Sequence, residues 1–172
     1  AWALQAAIEK AILSNAHLSG CLLDYVKLFD YFEVDFAWNL MTDAGSPSDV
    51  ALRIANRMHE IVRYLKVGGH FDGKMSRCNG IPQGCSLSIM IANIYVTTLF
   101  NMLTHEYDGI DMGSIIDDRN IRHHNPEVLL QAIESVIEFD KAAGHETNIQ
   151  QSVIWSTDAT TQNTFKGRQI NG

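Results

Sequence analysis

Three carboxylates in this 172-residue chain stand where an ionised group is expensive. Asp24 closes the apolar run Cys21-Leu22-Leu23, and Asp117 and Asp118 follow Ile115 and Ile116. Carboxylates at such positions must be paired, hydrogen-bonded or bound to a cation. Two of them about 4 Å apart repel by about 4 kcal/mol at an effective dielectric of about 20. A divalent cation turns that repulsion into coordination. Mg²⁺ suits such a site, with Mn²⁺ as the alternative, because Mg²⁺ is held by one or two carboxylates, water and substrate phosphates. Spacing alone also admits a plainer reading, in which Asp117-Asp118 is a solvated Asx-type hairpin turn and Asp24 a strand-end residue.

The elements that must carry these residues follow from hydrophobic period and turn chemistry. Residues 2–16 predict a helix from Leu4, Ile8 and Leu13, and Cys21 to Val26 predicts a strand. Thr42 to Ser48 reads as a loop, with Ser48 or Asp49 capping a helix over 49–66. That helix presents Val50, Ile54, Met58, Ile61 and Leu65, and Gly68-Gly69 ends it. Asn79 to Gly84 is dense in turn residues and precedes a long helix over 85–106. Two short strands flank Asp117-Asp118 as a hairpin, and Pro126 opens a helix over 127–143 that Gly144 terminates. Thr147 to Ser156 predicts a last strand. Helices and strands mix without βαβ regularity, so the fold class is α+β.

Composition supports a packed domain. Hydrophobic residues are 46% and charged residues 19%, which excludes a disordered chain. The weakly polar stretch Ile89 to Phe100 contains Asn93 and two Thr and is shorter than the roughly 20 residues a bilayer span needs, so no membrane partner is expected. The start AWALQ has no basic region and no Met, so the chain is expected to begin inside a longer protein. Cys21, Cys78 and Cys85 form no CxxC pair, which points to an intracellular, reducing compartment.

The net charge of −7 is unevenly spread. Residues 1–52 balance to −5, residues 53–77 to +4, residues 78–103 carry no charge, and residues 104–147 balance to −7. The basic segment comprises Arg53, Arg57, Arg63, Lys66, Lys74 and Arg77. It is either a surface for nucleic-acid phosphates or the solvated face of a helix.

Several motifs in fixed order resemble reverse transcriptases, most closely those of non-LTR retroelements and group II introns. Leu23-Asp24-x-x-Lys27-x-Phe29-Asp30 fits that family's LDxxKxFD segment. Gly80-Ile81-Pro82-Gln83-Gly84, with Ser88 and Ala92-Asn93-Ile94-Tyr95, resembles its GxPQG segment. Ile115-Ile116-Asp117-Asp118 stands where the family has its Asp-Asp pair, and Gly144 to Ser152 resembles the last palm motif, Gly-x-x-x-Asn-x-x-Lys-Ser.

The resemblance implies a polymerase palm, a small antiparallel sheet with helices on one face. It implies RNA-directed DNA polymerase activity, the addition of dNTPs to a DNA primer 3′-end on an RNA template. Asp24 and Asp117 would be the main ligands of two Mg²⁺ ions, with Asp118 beside them and the Tyr25 carbonyl as a further ligand. Phe29 falls at the sugar gate, and Gln83 and Gly84 where the family meets the incoming nucleotide. The fingers and thumb segments that complete a polymerase do not fit into the chain. The resemblance therefore covers a partial domain over 1–172, expected to be weak or inactive by itself and partnered by those missing segments. A retrotransposon source would place it in the nucleus of a eukaryote, and otherwise in the cytoplasm.

Three positions depart from the pattern: Ile89 replaces a Pro, Ile115 an aromatic and Gln151 the Lys that is a candidate proton donor to pyrophosphate. They leave two further readings, a noncatalytic palm-derived binding module and an inactive retroelement remnant. An RNA-templated RNA polymerase is disfavoured by the PQG segment and Phe29. His123-His124, Cys85 and the three Trp residues carry no chemistry in this reading.

Overall fold

The structure is a computed structural model that describes residues 2–75 and 80–166. The chain divides into two compact units, Ala1–Val26 with Val96–Gly172, and Lys27–Tyr95.

In the first unit, α1 (Trp2–Leu13) precedes four antiparallel strands, β1 (Ser19–Leu23), β4 (Asp111–Ile115), β5 (Asp118–His123) and β6 (Val153–Ser156). They lie in the order β4-β5-β1-β6. Alternation along β1 and β5 sends Cys21, Leu23 and Ile121 to one face. There they pack with Leu99 and Leu103 of α5 (Ser86–Glu106), Leu129, Ile133 and Val136 of α6 (Pro126–Ala142), and Phe165 of α7 (Ala159–Lys166). Each such side chain contributes about 1.5–3 kcal/mol on burial. On the other face, a Cβ at Gly20 would lie 2.4 Å from the Trp155 ring, so only glycine lets that indole cover β1. The start of α6 is fixed by Asn125, whose side chain accepts from the Glu127 N–H at 2.9 Å, and by Pro126 in the first turn. The palm class and helices on one sheet face stand as the resemblance implies. The hairpin turn falls one residue earlier than expected, at Ile116-Asp117, because Asp118 pairs with Ile115. The helix expected over 49–66 belongs to the second unit.

The second unit holds α2 (Leu28–Tyr31), α3 (Val34–Asp43), α4 (Ser48–His59) and the two-stranded sheet β2 (Arg63–Val67) with β3 (His70–Met75). Phe32, Phe36 and Tyr95 form a ring cluster with centroids 5.7–6.1 Å apart.

Several boundaries differ from expectation. The helix expected over 49–66 ends at His59, and α4 packs on α3. Its buried residues are Ala51, Ala55 and Met58, whereas Val50 is exposed. The residues beyond it, rich in Val and Tyr, pair as a hairpin instead. Gly68 and Gly69 both have positive φ, 57° and 86°, so they form the hairpin turn and not a helix stop. Pro47 occupies the cap position of α4 without a side-chain cap bond, so Ser48 and Asp49 lie inside the first turn. The first strand is Ser19–Leu23, shifted back from the apolar run, because Tyr25 and Val26 bond to Thr147 and Glu146 beyond the sheet. The last strand shrinks to Val153–Ser156, since Asn148 to Ser152 is tied into a turn. Although α5 is long and apolar enough to cross a membrane, it buries one face, including Ile91, Tyr95, Leu99 and Leu103.

Candidate active site

Register brings the three acids to one end of the sheet. Leu23 of β1 pairs with Arg119 of β5, so Asp24 follows and Asp118 precedes a bonded pair on adjacent antiparallel strands. Ile115 pairs with Asp118 across β4–β5, which leaves Ile116-Asp117 as the two-residue turn. Ile116 sits at φ 59°, a conformation costly for a β-branched residue, and such strain persists only where surrounding structure enforces it. Asp117 and Asp118 are exposed and Asp24 is half-buried.

Asp24 is held from the other side by the segment after α6. The Asn148 N–H donates to the Asp24 carbonyl at 2.9 Å, and the Asp24 N–H donates to Ser152 Oγ at 3.3 Å. Asn148 Nδ2 donates to the Asp24 carboxylate at 3.3 Å. Tyr25 bridges to Thr147, and the Val26 N–H donates to the Glu146 carbonyl at 2.9 Å.

Behind this end lies a buried polar group that the sequence reading missed. Arg119 forms an ion pair with Asp140, Nη1 donating to Oδ1 at 3.0 Å and Nη2 lying 2.9 Å from Oδ2 outside hydrogen-bond geometry, both side chains fully buried. Thr147 Oγ1 donates to Asp140 Oδ2 at 2.6 Å, and the guanidinium lies 3.6 Å from the centre of the Tyr25 ring. The His145 ring meets Tyr25 edge-on at 6.0 Å. Burial pushes the His145 imidazole down to about 4; nearby Asp140 opposes that shift and Arg119 adds to it. Two signals in the sequence point to this group. Arg119 shares strand parity with the core residue Ile121, and Asp140 extends the apolar stripe of Val136 and Ile137 on α6.

The other predicted residues lie in the second unit. Phe29 is half-buried in α2, while Gln83 and Gly84 are exposed in the turn before α5. The structure joins their segments: the Ile81 N–H donates to the Phe29 carbonyl at 2.8 Å and the Gly80 N–H to the Phe32 carbonyl at 2.7 Å. Gly84 has φ 82°, which a glycine adopts without strain.

Of the basic residues, Arg53 and Arg57 are exposed one helical turn apart on α4, and Lys66 of β2 lies over the Phe71 ring at 5.3 Å. The basic segment is thus part helix and part hairpin. Arg63 and Lys74 lie on β2 and β3, and Arg77, like Cys78, falls outside the described residues.

Among the described residues no group of three or more His, Cys, Asp or Glu could hold a metal. The acid end therefore supplies few ligands. That donor set, carboxylates and backbone carbonyl oxygens, still fits a hard cation whose shell is completed by water and phosphate oxygens, the habit of Mg²⁺. His123 is engaged with Asp108 and Asn125, and His124 with the His17 carbonyl. Cys21, buried, has its thiol pushed up to about 12 by burial.

The sequence profile described as "Reverse transcriptase (RNA-dependent DNA polymerase)" matches residues 6–167. No curated protein sequence matches the chain. Among solved structures, telomerase of Candida tropicalis in complex with the TWJ fragment of telomeric RNA superposes with a TM-score of 0.70 at 14% identity, covering 90% of this chain and 29% of that one. Telomerase of Candida albicans with the same kind of RNA fragment gives 0.68 at 12% identity, covering 91% and 31%. At such identity the likeness concerns the fold, and the chain spans less than a third of either structure.

Proposed function

The chain belongs to the reverse transcriptase family, and from that premise we propose that it is the palm of an RNA-directed DNA polymerase. One observation carries the proposal: the β1–β5 register brings Asp24, Asp118 and the Ile116-Asp117 turn to the same end of the sheet. In this reading Asp24 and Asp117 hold divalent cations, with Asp118 and the Tyr25 carbonyl beside them. Bound there, Mg²⁺ lowers the pKa of a primer 3′-hydroxyl and neutralises the triphosphate and leaving pyrophosphate.

The chain's own residues do the positioning. Asp24 presents one carboxylate oxygen to Asn148, leaving the other for a ligand. Phe29 closes the space that a ribose 2′-hydroxyl would need, which selects dNTP over rNTP. The 80–84 turn, tied by backbone to Phe29 and Phe32, presents Gln83 to the nucleotide. Arg53, Arg57 and Lys66 are exposed cations available to RNA template and DNA primer phosphates. The polymerase is complete only with fingers and thumb segments supplied in addition to residues 1–172.

The test is calorimetric titration of Mn²⁺ with dATP into the chain and into Asp24→Asn/Asp117→Asn. Binding by the parent and at least about 10-fold weakening in the double variant is the expected result. A folded parent that binds neither cation nor nucleotide favours the noncatalytic palm module, the reading to which the Ile89, Ile115 and Gln151 departures belong.

A further inference from the structure

The position where the family's last motif carries Lys has a different occupation in this chain. Gln151 Oε1 accepts from Asn148 Nδ2 at 2.7 Å, and the same Nδ2 donates to the Asp24 carboxylate at 3.3 Å. Asn148 Oδ1 in turn accepts from the Gln151 N–H at 3.3 Å. Both hydrogens of the Asn148 amide and its oxygen are thereby used, which fixes which end of the carboxamide faces Asp24. The backbone of the same turn has further bonds, with the Gln151 N–H shared between the two sets. Ser152 Oγ donates to the Asn148 carbonyl at 2.8 Å, and the Gln151 and Ser152 N–H groups donate to that same carbonyl at 3.2 and 3.0 Å.

We propose that Asn148 is a positioning residue for the Asp24 carboxylate and that Gln151 acts through it, aiming the carboxamide instead of donating a proton. The inference rests on the reading of Asp24 as a cation ligand. Its physical content is rotational. A carboxylate at a strand end rotates about its last torsion, and an N–H donor on one oxygen selects the rotamer that leaves the second oxygen directed outward. The Gln151 side-chain oxygen engages the Asn148 amide from behind, and the Gln151 N–H holds the carboxamide oxygen. A Lys ammonium has donors alone and would compete with Asn148 for Asp24. Partners of this kind behind a metal ligand are typically worth about 10-fold or more in metal affinity.

Because the backbone bonds from Asn148 N to Asp24 O and from Asp24 N to Ser152 Oγ do not involve the carboxamide, Asn148→Ala removes orientation while keeping the turn. Two readouts test the proposal on the whole chain. The first needs no metal: the side-chain ¹H–¹⁵N signals of Asn148 are recorded in the parent, Asp24→Asn and Gln151→Met. Both variants are expected to move the two amide protons together and to speed their exchange with water. Signals that stay where they were in either variant overturn the clamp.

The second is Mn²⁺ affinity by electron paramagnetic resonance, with thermal melting as the control for folding. Asn148→Ala, Gln151→Met and Gln151→Lys should each weaken Mn²⁺ by about 10-fold at an unchanged melting temperature. Parent-like affinity in Asn148→Ala overturns the positioning role. A parent that binds no Mn²⁺ while the amide signals respond as expected overturns the reading of Asp24 as a ligand and leaves the clamp as structure only.

Discussion

The β4–β5 hairpin turns on Ile116-Asp117 with a β-branched residue at φ 59°, whereas β2–β3 turns on Gly68-Gly69, where φ values of 57° and 86° are ordinary for glycine. The strained hairpin leans on a sheet whose β1 and β5 bury Cys21, Leu23 and Ile121 and whose Arg119 is ion-paired to Asp140 in the core. The relaxed hairpin is a two-stranded sheet that leaves Tyr64, Val67 and Phe71 exposed at 59%, 65% and 70%. A hairpin can be held in an unfavourable conformation where buried structure over-determines it. An exposed one follows its turn chemistry. Asp117 and Asp118 sit on the first kind, and Lys66 of the basic segment on the second.

The largest effect should come from breaking what stands behind the acid end. Asp140→Ala leaves Arg119 buried without its partner and should cost about 3–5 kcal/mol in denaturant unfolding. Arg119→Met/Asp140→Leu should recover most of that, since a packed apolar pair replaces a buried ion pair at little net cost. Equal losses in the single and double variants would mean that the pair is not the support.

Acid sharpens the same contrast. His145 is held neutral at about 4 by burial, against 6.5 when unfolded. Its contribution is complete above pH 6.5 and is lost as pH falls from there toward 4, because the unfolded chain binds the proton first. The loss should reach about 3 kcal/mol. His145→Gln should flatten this part of a stability-against-pH curve, and an unchanged slope would assign it to other groups.

Turn chemistry gives smaller effects of opposite sign. Ile116→Gly should relieve the positive φ and stabilise the chain by about 1 kcal/mol. Lys66→Ala on the exposed hairpin should stay within about 0.5 kcal/mol of the parent in the same denaturation assay. A destabilised Ile116→Gly would show that the turn is not strained.

Local signals made much of the molecule legible. The α6 boundaries followed from Pro126 and Gly144, and the Asp117-Asp118 hairpin from two apolar runs around an acidic pair. Those cues act within a few residues. The helix expected over 49–66 stops at His59 because, although Met58, Ile61 and Leu65 fit a helical apolar period, Val62, Tyr64 and Val67 favour a strand. Pairing with His70–Met75 decided between them. The Arg119–Asp140 pair joins residues 21 apart, and Asn148 meets Asp24 across 124. Such contacts depend on sheet order, which no local period encodes. The motif resemblance marked Asp24, Phe29 and Gln83, but not what orients them.

The central claim is that Asp24 and Asp117 converge on one cation. Anomalous scattering from crystals of the chain grown with Mn²⁺ and dATP tests it directly. The account predicts an Mn²⁺ peak bounded by the Asp24 and Asp117 carboxylates, with phosphate oxygens completing its shell. An Mn²⁺ peak elsewhere with this end of the sheet empty, under conditions where calorimetry shows binding, would contradict it.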